Sequence, residues 1–121
     1  MADQRVIIEM GMGNVQYGQD YTKAASRAIE DAIRHSSLPI VKALGLSGEQ
    51  MRVEVTIGVQ EPGQVDTEAL VACLPHGRVS VRAVKGGLDV ENAEAGTKIV
   101  IASAAVEVFL PPQGDSVLRE G

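Results

Sequence analysis

Apolar and polar residues alternate strictly in residues 51–59, MRVEVTIGV, and this period of two predicts a half-buried β-strand. A second strand is predicted at residues 98–110, KIVIASAAVEVFL, which are apolar on both sides except for Ser103 and Glu107. The short run VIIEM, residues 6–10, is β-branched and nearly continuous, which is typical of a strand buried on both faces and central in its sheet. Together these patterns predict a β-sheet with a largely aliphatic core.

Residues 78–90, RVSVRAVKGGLDV, predict one further strand, interrupted by Gly86 and Gly87 as a bulge or a tight corner. With it, the sheet has four predicted strands.

Helical spacing replaces the period of two after Asp20, which is well placed as an N-cap. The apolar positions recur every three or four residues and predict an amphipathic helix that ends before Pro39. Two shorter helices are predicted at IVKALG, residues 40–45, and at TEALVACL, residues 67–74. The apolar positions of the first helix are Ala24, Ala25, Ala28, Ile29, Ala32 and Ile33.

The predicted order is β-α-β-α-β-β, which defines one α+β domain over residues 1–110, followed by a loose C-terminal tail at 111–121. Helices are expected on one face of a four-stranded mixed sheet. The other face then carries Val, Ala and Ile with nothing in the chain to cover it. An apolar surface of this kind predicts an oligomer.

Charge and composition narrow the classes of function. The 121 residues carry a formal net charge of −5 and three aromatic side chains, so a nucleic-acid-binding role is not expected. One cysteine, no signal-peptide pattern at the N-terminus and no apolar run of membrane-spanning length predict a cytoplasmic protein without a membrane partner.

The glycine-punctuated segment GMGNVQYG, residues 11–18, is predicted to be a loop between the first strand and the first helix. Its glycines have two interpretations: they permit a turn and close packing, or they line a ligand site at the end of a central strand. The segment does not match a P-loop, because Gln19 and Asp20 follow it where Lys and Ser or Thr are needed. The candidate ligand-binding residues are Gly11, Gly13, Asn14, Gly18, Asp20, Arg82 and Ser103.

Glu9 is the sharpest single candidate, since a carboxylate on a strand buried on both faces needs a partner. Lys23, Arg82 or Lys85 are possible partners. A structural salt bridge is one interpretation, and general acid/base catalysis by Glu9 with Lys23 or Lys85 is the other. Glu107 is interpreted as part of an ion pair between subunits.

The remaining polar candidates are assigned structural roles. His35 and His76 are placed at element ends, and Cys73 is interpreted as a buried thiol. No histidine lies at metal-ligand spacing from the cysteine, so neither a metal site nor a cofactor is predicted.

The run GQDYTKAASRAIEDAIRHSSLP, residues 18–39, preceded by IIEMGMG, resembles a small family of conserved uncharacterised proteins from bacteria and plants, first named from a Listeria innocua locus. That family has an N-terminal GxGxDxHG motif. Here the glycines agree, but Val15 stands in place of Asp and Tyr17 in place of His. The resemblance implies a fold and a candidate site, and no reaction.

The element order is also similar to the trimeric chorismate mutase fold and to the repeated unit of ring-opening amidohydrolases, such as cyanuric acid hydrolase and barbiturase. Those proteins place active sites between three copies of the unit. The amidohydrolase resemblance implies Ser-Lys pairs; Ser103 answers to the serine, whereas residues 51–59 contain no lysine.

Two hypotheses follow. The first is a homo-oligomer, a trimer or a multiple of it, that binds a small polar metabolite such as a carboxylate or a ureide in a cleft between subunits, with amidohydrolase-like catalysis as an extension. The second is a non-catalytic interaction subunit that assembles with a paralogue carrying the intact motif.

Overall fold

A computed structural model describes residues 4–16, 18, 20–34, 51–74, 77–92, 94 and 96–110. The elements follow in the order β1 (Gln4–Val15), α1 (Tyr21–Arg34), β2 (Arg52–Val59), a 3₁₀ turn (Pro62–Gln64), α2 (Thr67–Val71), β3 (Arg78–Lys85), β4 (Leu88–Asn92) and β5 (Thr97–Leu110). Asp66 caps α2, since its Oδ1 accepts a hydrogen bond from the Ala69 N–H at 3.1 Å. The α+β class and the mixed sheet are confirmed.

The strands form one sheet in the order β1-β5-β2-β3. Both β1 and β2 run antiparallel to β5, and β3 runs parallel to β2. The short strand β4 pairs with the first half of β5, next to the part that β2 occupies. The sheet therefore has five strands among the described residues, where the sequence predicted four.

Gly86 and Gly87 account for the extra strand. The Gly86 N–H donates to the Val59 carbonyl at 2.9 Å, and Gly87 has a φ of +60°, which favours glycine. A Cβ at Gly87 would also overlap the Ile101 carbonyl oxygen. The chain turns at this pair and continues as β4, so the predicted corner is real and divides one strand into two.

Close approach of α1 to β1 places the core on one face of the sheet. Gly11 and Gly13 lie on the side of β1 that faces α1, and a Cβ at either would overlap backbone atoms of the helix. Both residues belong to β1, so the prediction of a loop from residue 11 was wrong over 11–15. The two glycines serve close packing, one of the two interpretations that the sequence left open.

The opposite side of the sheet, called the open face below, is not covered by any described element. β1 is an edge strand that pairs only with β5 there, so its prediction as a central strand was wrong. Its alternate side chains are exposed on the open face instead of buried. The large exposed apolar residues on this face are Ile8, Met10, Met12, Val84, Leu88 and Val90.

Several predictions lie outside the described residues: the helix at 40–45, the tail at 111–121, and the placements of His35 and His76. Within the described ranges, no helix has the length and apolar character needed to cross a membrane.

Candidate functional site

A depression of about 630 Å³ lies on the open face, where β1, β5, β2 and β3 pass side by side. Its floor contains Gly58 and Gly86, and apolar side chains from both edge strands form its walls. Its polar lining comes from Asp31, Thr56, Lys85 and Ser103. The depression therefore combines a backbone floor with two hydroxyl groups, one carboxylate and one lysine.

Gly58 makes the depression possible. It continues the series of β2 residues that point to the open face, and it pairs with Ser103 on β5 and Val84 on β3. A Cβ at Gly58 would lie 2.7 Å from the Ser103 Oγ, so any other residue would fill the floor. The Gln60 Nε2 donates to the carbonyls of Gly86 and Gly87 at 3.0 and 3.2 Å, which fixes the adjoining turn.

Arg82 and Lys85 supply positive charge beside this floor. Arg82 is exposed on the open face, and its Nε donates to the Thr56 Oγ1 at 3.0 Å. That bond uses Nε, and no described residue accepts a hydrogen bond from the two terminal nitrogens of the guanidinium. Lys85, the last residue of β3, lines the depression, although its register partner Val59 is buried in the core, so the Lys85 side chain leaves the strand towards the helix side. Three candidates from the sequence, Gly11, Lys85 and Ser103, line the depression, and Arg82 lies beside it through its bond to Thr56.

Glu9 is not part of this group. It pairs with Val106, whose side chain is buried under the helices, so Glu9 lies on the opposite side of the sheet from the depression. Counting three strand spacings of about 4.8 Å and four residues of about 3.3 Å, its Cα lies roughly 20 Å from that of Lys85. The structure therefore does not bring the predicted acid/base pair together within one chain.

Glu9 is half-buried rather than fully buried, and it forms no ion pair with any described residue. The predicted partner Arg82 bonds to Thr56 instead. Solvent contact removes the need for a partner that a fully buried carboxylate would have.

The other candidates cluster around the start of α1 and have structural roles. Asp20 caps the helix, since its Oδ1 accepts from the Lys23 N–H at 2.9 Å. Gly18 has a φ of +85°, which a turn before the helix requires. The Asn14 carbonyl accepts from Arg27 at 2.7 Å, and Lys23 itself is exposed.

Sequence reasoning missed a partly buried polar cluster on the helix side of the sheet. The Tyr21 hydroxyl donates to Asp89 Oδ2 at 2.5 Å, and the Lys98 Nζ lies 3.9 Å from the same oxygen. The hydrogen bond to the carboxylate, with burial, raises the pKa of Tyr21 to about 12. The other carboxylate oxygen, Asp89 Oδ1, is buried with no hydrogen-bond partner among the described residues.

A second feature that the sequence did not predict is a group of charged side chains at one end of the open face, called the ionic end below. Glu54 and Glu107 face each other across β2 and β5, which alone would be destabilising. Each is paired: Arg52 lies 2.6 Å from Glu54, and Arg5 lies 3.2 Å from Glu107. Glu107 therefore has an ion-pair partner within its own chain. Arg52 also lies over the Phe109 ring, 4.0 Å from its centroid.

Cys73 is half-buried, with its Sγ 3.6 Å from the Ser26 Oγ. Across the described ranges, no three His, Cys, Asp or Glu side chains are grouped as metal ligands would be.

These features define a class: a small α+β domain with helices on one face of a mixed sheet and a depression on its uncovered apolar face. The family described as a conserved hypothetical protein (Lin0512_fam) matches residues 5–108, and the chain belongs to this family. This confirms the family resemblance that the sequence suggested.

A similar solved structure is that of an FtsZ-like protein of unknown function from Nostoc punctiforme. It is 42% identical, covers 93% of this chain and 99% of its own, and superposes with a TM-score of 0.80. No curated protein matches the chain.

Proposed function

We propose that this protein binds a small anionic metabolite in the depression over Gly58 and works as an oligomer. The observation that carries the proposal is a depression of about 630 Å³ lined by Thr56 and Ser103, with Arg82 bonded to Thr56 beside it. That volume lies within the roughly 300–1,000 Å³ typical of small-molecule sites.

The chemistry of the lining favours a carboxylate or a phosphate. The Arg82 guanidinium attracts an anion and can bind two of its oxygens at once. The one carboxylate of the lining, Asp31, already accepts a hydrogen bond from the Met12 N–H. The Thr56 and Ser103 hydroxyls are suitable for further hydrogen bonds. The side chains of Met10 and Met12 can pack against an apolar part of the same ligand, since methionine adapts to irregular shapes.

Calorimetric titration with malonate and with inorganic phosphate tests this proposal. Arg82→Ala and Lys85→Ala should each weaken binding by about tenfold, as expected for loss of a charged hydrogen bond. Lys23→Ala is the matched control, because it removes a lysine charge from the exposed surface of α1. Equal affinity in all four proteins would refute the site, as would no binding by the wild type.

Amidohydrolase-like turnover is an extension of the same site. Ser103 and Lys85 are the residue types that the resemblance implies, and both line the depression although the lysine lies on β3 instead of β2. Ring opening of a cyclic ureide, abolished by Ser103→Ala but not by Lys23→Ala, would support it. Anion binding without turnover would leave the protein a binder.

The alternative is a non-catalytic subunit that assembles with a paralogue. It is favoured by Val15, which occupies the position of the motif's aspartate and is buried in the core. In this chain that position contributes packing. Restoration of activity only on mixing with a paralogue that carries the intact motif would support this alternative.

A further inference from the structure

Exposed apolar side chains are concentrated on one surface. Among the described residues, seven large apolar side chains are exposed, and six of them lie on the open face. The seventh, Val71, lies in α2 on the other side of the molecule. Met10 and Met12 are 73% and 64% exposed, which is costly for large apolar side chains. A concentration of this kind marks an interaction surface.

The open face has the dimensions of a stable interface. β5 has 14 residues and so is about 48 Å long at 3.4 Å per residue, and four neighbouring strands are about 19 Å wide. A rectangle of this size is about 900 Å², and because β2 and β3 have only 8 residues each, the face offers on the order of 800 Å². This matches the roughly 800 Å² that each partner buries in a standard interface. The apolar part alone is smaller, so an adequate contact also includes the ionic end.

A second copy of this chain fits that surface best. Its own open face has the same dimensions, and two sheets pack face to face at about 10 Å with their side chains interdigitated. The apolar half meets an identical apolar half, and Arg82, the charged group beside it, keeps its hydrogen bond to Thr56. At the ionic end, Glu54 and Glu107 already have arginine partners, so burial leaves neither carboxylate uncompensated.

We infer that a second copy packs its open face against this one, and that this contact and anion binding in the depression strengthen each other. The contact covers the depression, so a bound anion is shielded from water and interacts more strongly with Arg82. The coupling rests on the proposed function, whereas the contact itself does not. A face-to-face contact is isologous, so the number of copies is even, and a hexamer would satisfy both this contact and the threefold resemblance.

Sedimentation velocity over a range of protein concentrations tests the contact. The wild type should self-associate, and Leu88→Lys should weaken association at least tenfold by placing a charge in the apolar half. Leu88 is 59% exposed and does not line the depression, so the fold and the anion site remain intact. Val71→Lys is the matched control, since it changes the one exposed apolar residue off this face. A monomeric wild type, or Leu88→Lys that associates normally, overturns the contact.

The coupling is tested by repeating the experiment with saturating malonate. With one anion site in each of the two copies, linkage requires that saturating anion raise the association constant by the square of the factor by which association raises the affinity of each site. We expect roughly tenfold per site, and therefore roughly 100-fold in the association constant. Leu88→Lys should then bind malonate about tenfold more weakly than the wild type. An anion that binds both proteins equally overturns the coupling but leaves the proposed site standing, whereas a wild type that associates without binding any anion refutes the site and leaves the contact.

Discussion

Tyr21 joins the start of α1 to β4 through a single hydrogen bond from its buried hydroxyl to Asp89. The two residues are 68 positions apart in the chain. No local pattern connects them, because a long-range polar contact depends on how the sheet and helix are assembled. For this reason, the sequence indicated neither residue as a candidate.

Replacing Tyr21 by Phe should lower the free energy of unfolding by about 1–3 kcal/mol at pH 8, because Asp89 loses the donor to its charged carboxylate. Asp89 Oδ1 already has no partner within the described structure, so the loss is not compensated there. The ring still fills its place in the core. Urea denaturation of the two proteins measures the difference.

The pH dependence separates this hydrogen bond from ring packing. The pKa of Tyr21 is about 12 in the folded chain, above its ordinary value of 10.0, so the folded state holds this proton more tightly. The advantage of the wild type over Tyr21→Phe should therefore be complete below pH 10 and shrink as the pH rises towards 12. A difference that stays constant across that window would contradict the assignment.

At the scale of elements, the contact between α1 and β1 is made of small residues on both sides. Gly11 and Gly13 are two positions apart and so point to the same face of the strand. They face the backbone of α1 at Ala24, Ala28 and Ala32. The alanine stripe and the spacing of the glycines were both visible in the sequence, and together they would have predicted the packing. The prediction of a loop at these glycines led away from that packing.

Gly13→Ala should destabilise the protein by about 1–3 kcal/mol, because the added methyl group overlaps the helix backbone and pushes α1 from the sheet. Gly63→Ala is the control: nothing lies within 4 Å of a Cβ at that position. It should change stability by less than about 0.5 kcal/mol. Thermal denaturation compares the two, and equal effects would show that the close approach is not what requires Gly13.

The edge of β1 is protected by side chains of α1. Asp31 Oδ2 accepts from the Met12 N–H at 3.0 Å, and Arg27 donates to the Asn14 carbonyl. Edge strands with unpaired backbone groups can pair with other chains, and these bonds occupy that edge. On the helix face the sequence predicted only that polar residues point outward, because their specific partners depend on the position of the helix over the strand.

At the scale of the whole molecule, periodicity predicted most of the architecture. The period-two pattern of residues 51–59 and the long apolar run at 98–110 predicted β2 and β5, and the alanine and isoleucine stripe predicted α1. The pattern also predicted that one face of the sheet, the open face, has no covering element. The edge position of β1 did not follow from the pattern. A strand whose exposed side chains are apolar has the same sequence pattern as a strand that is buried on both faces.

The sequence predicted the candidate site only in part, because the assembly of the site depends on how the strands pair. Arg82, Lys85 and Ser103 were each predicted as single candidates. The depression over Gly58 that relates them depends on the pairing of β2, β3 and β5. Glu9 was assigned to the same site because strand alternation was not applied to it. Its register with Val106 places it on the helix side.

Methionine oxidation by dilute hydrogen peroxide, followed by mass spectrometry, tests most directly whether the open face is a covered interaction surface. Met10 and Met12 should oxidise rapidly at low protein concentration and slowly at high concentration, with added malonate extending the protection. Met51, which is 4% exposed in the single chain, serves as the internal standard and should react slowly throughout. Rapid oxidation of Met10 and Met12 at every concentration, with and without malonate, would contradict the account.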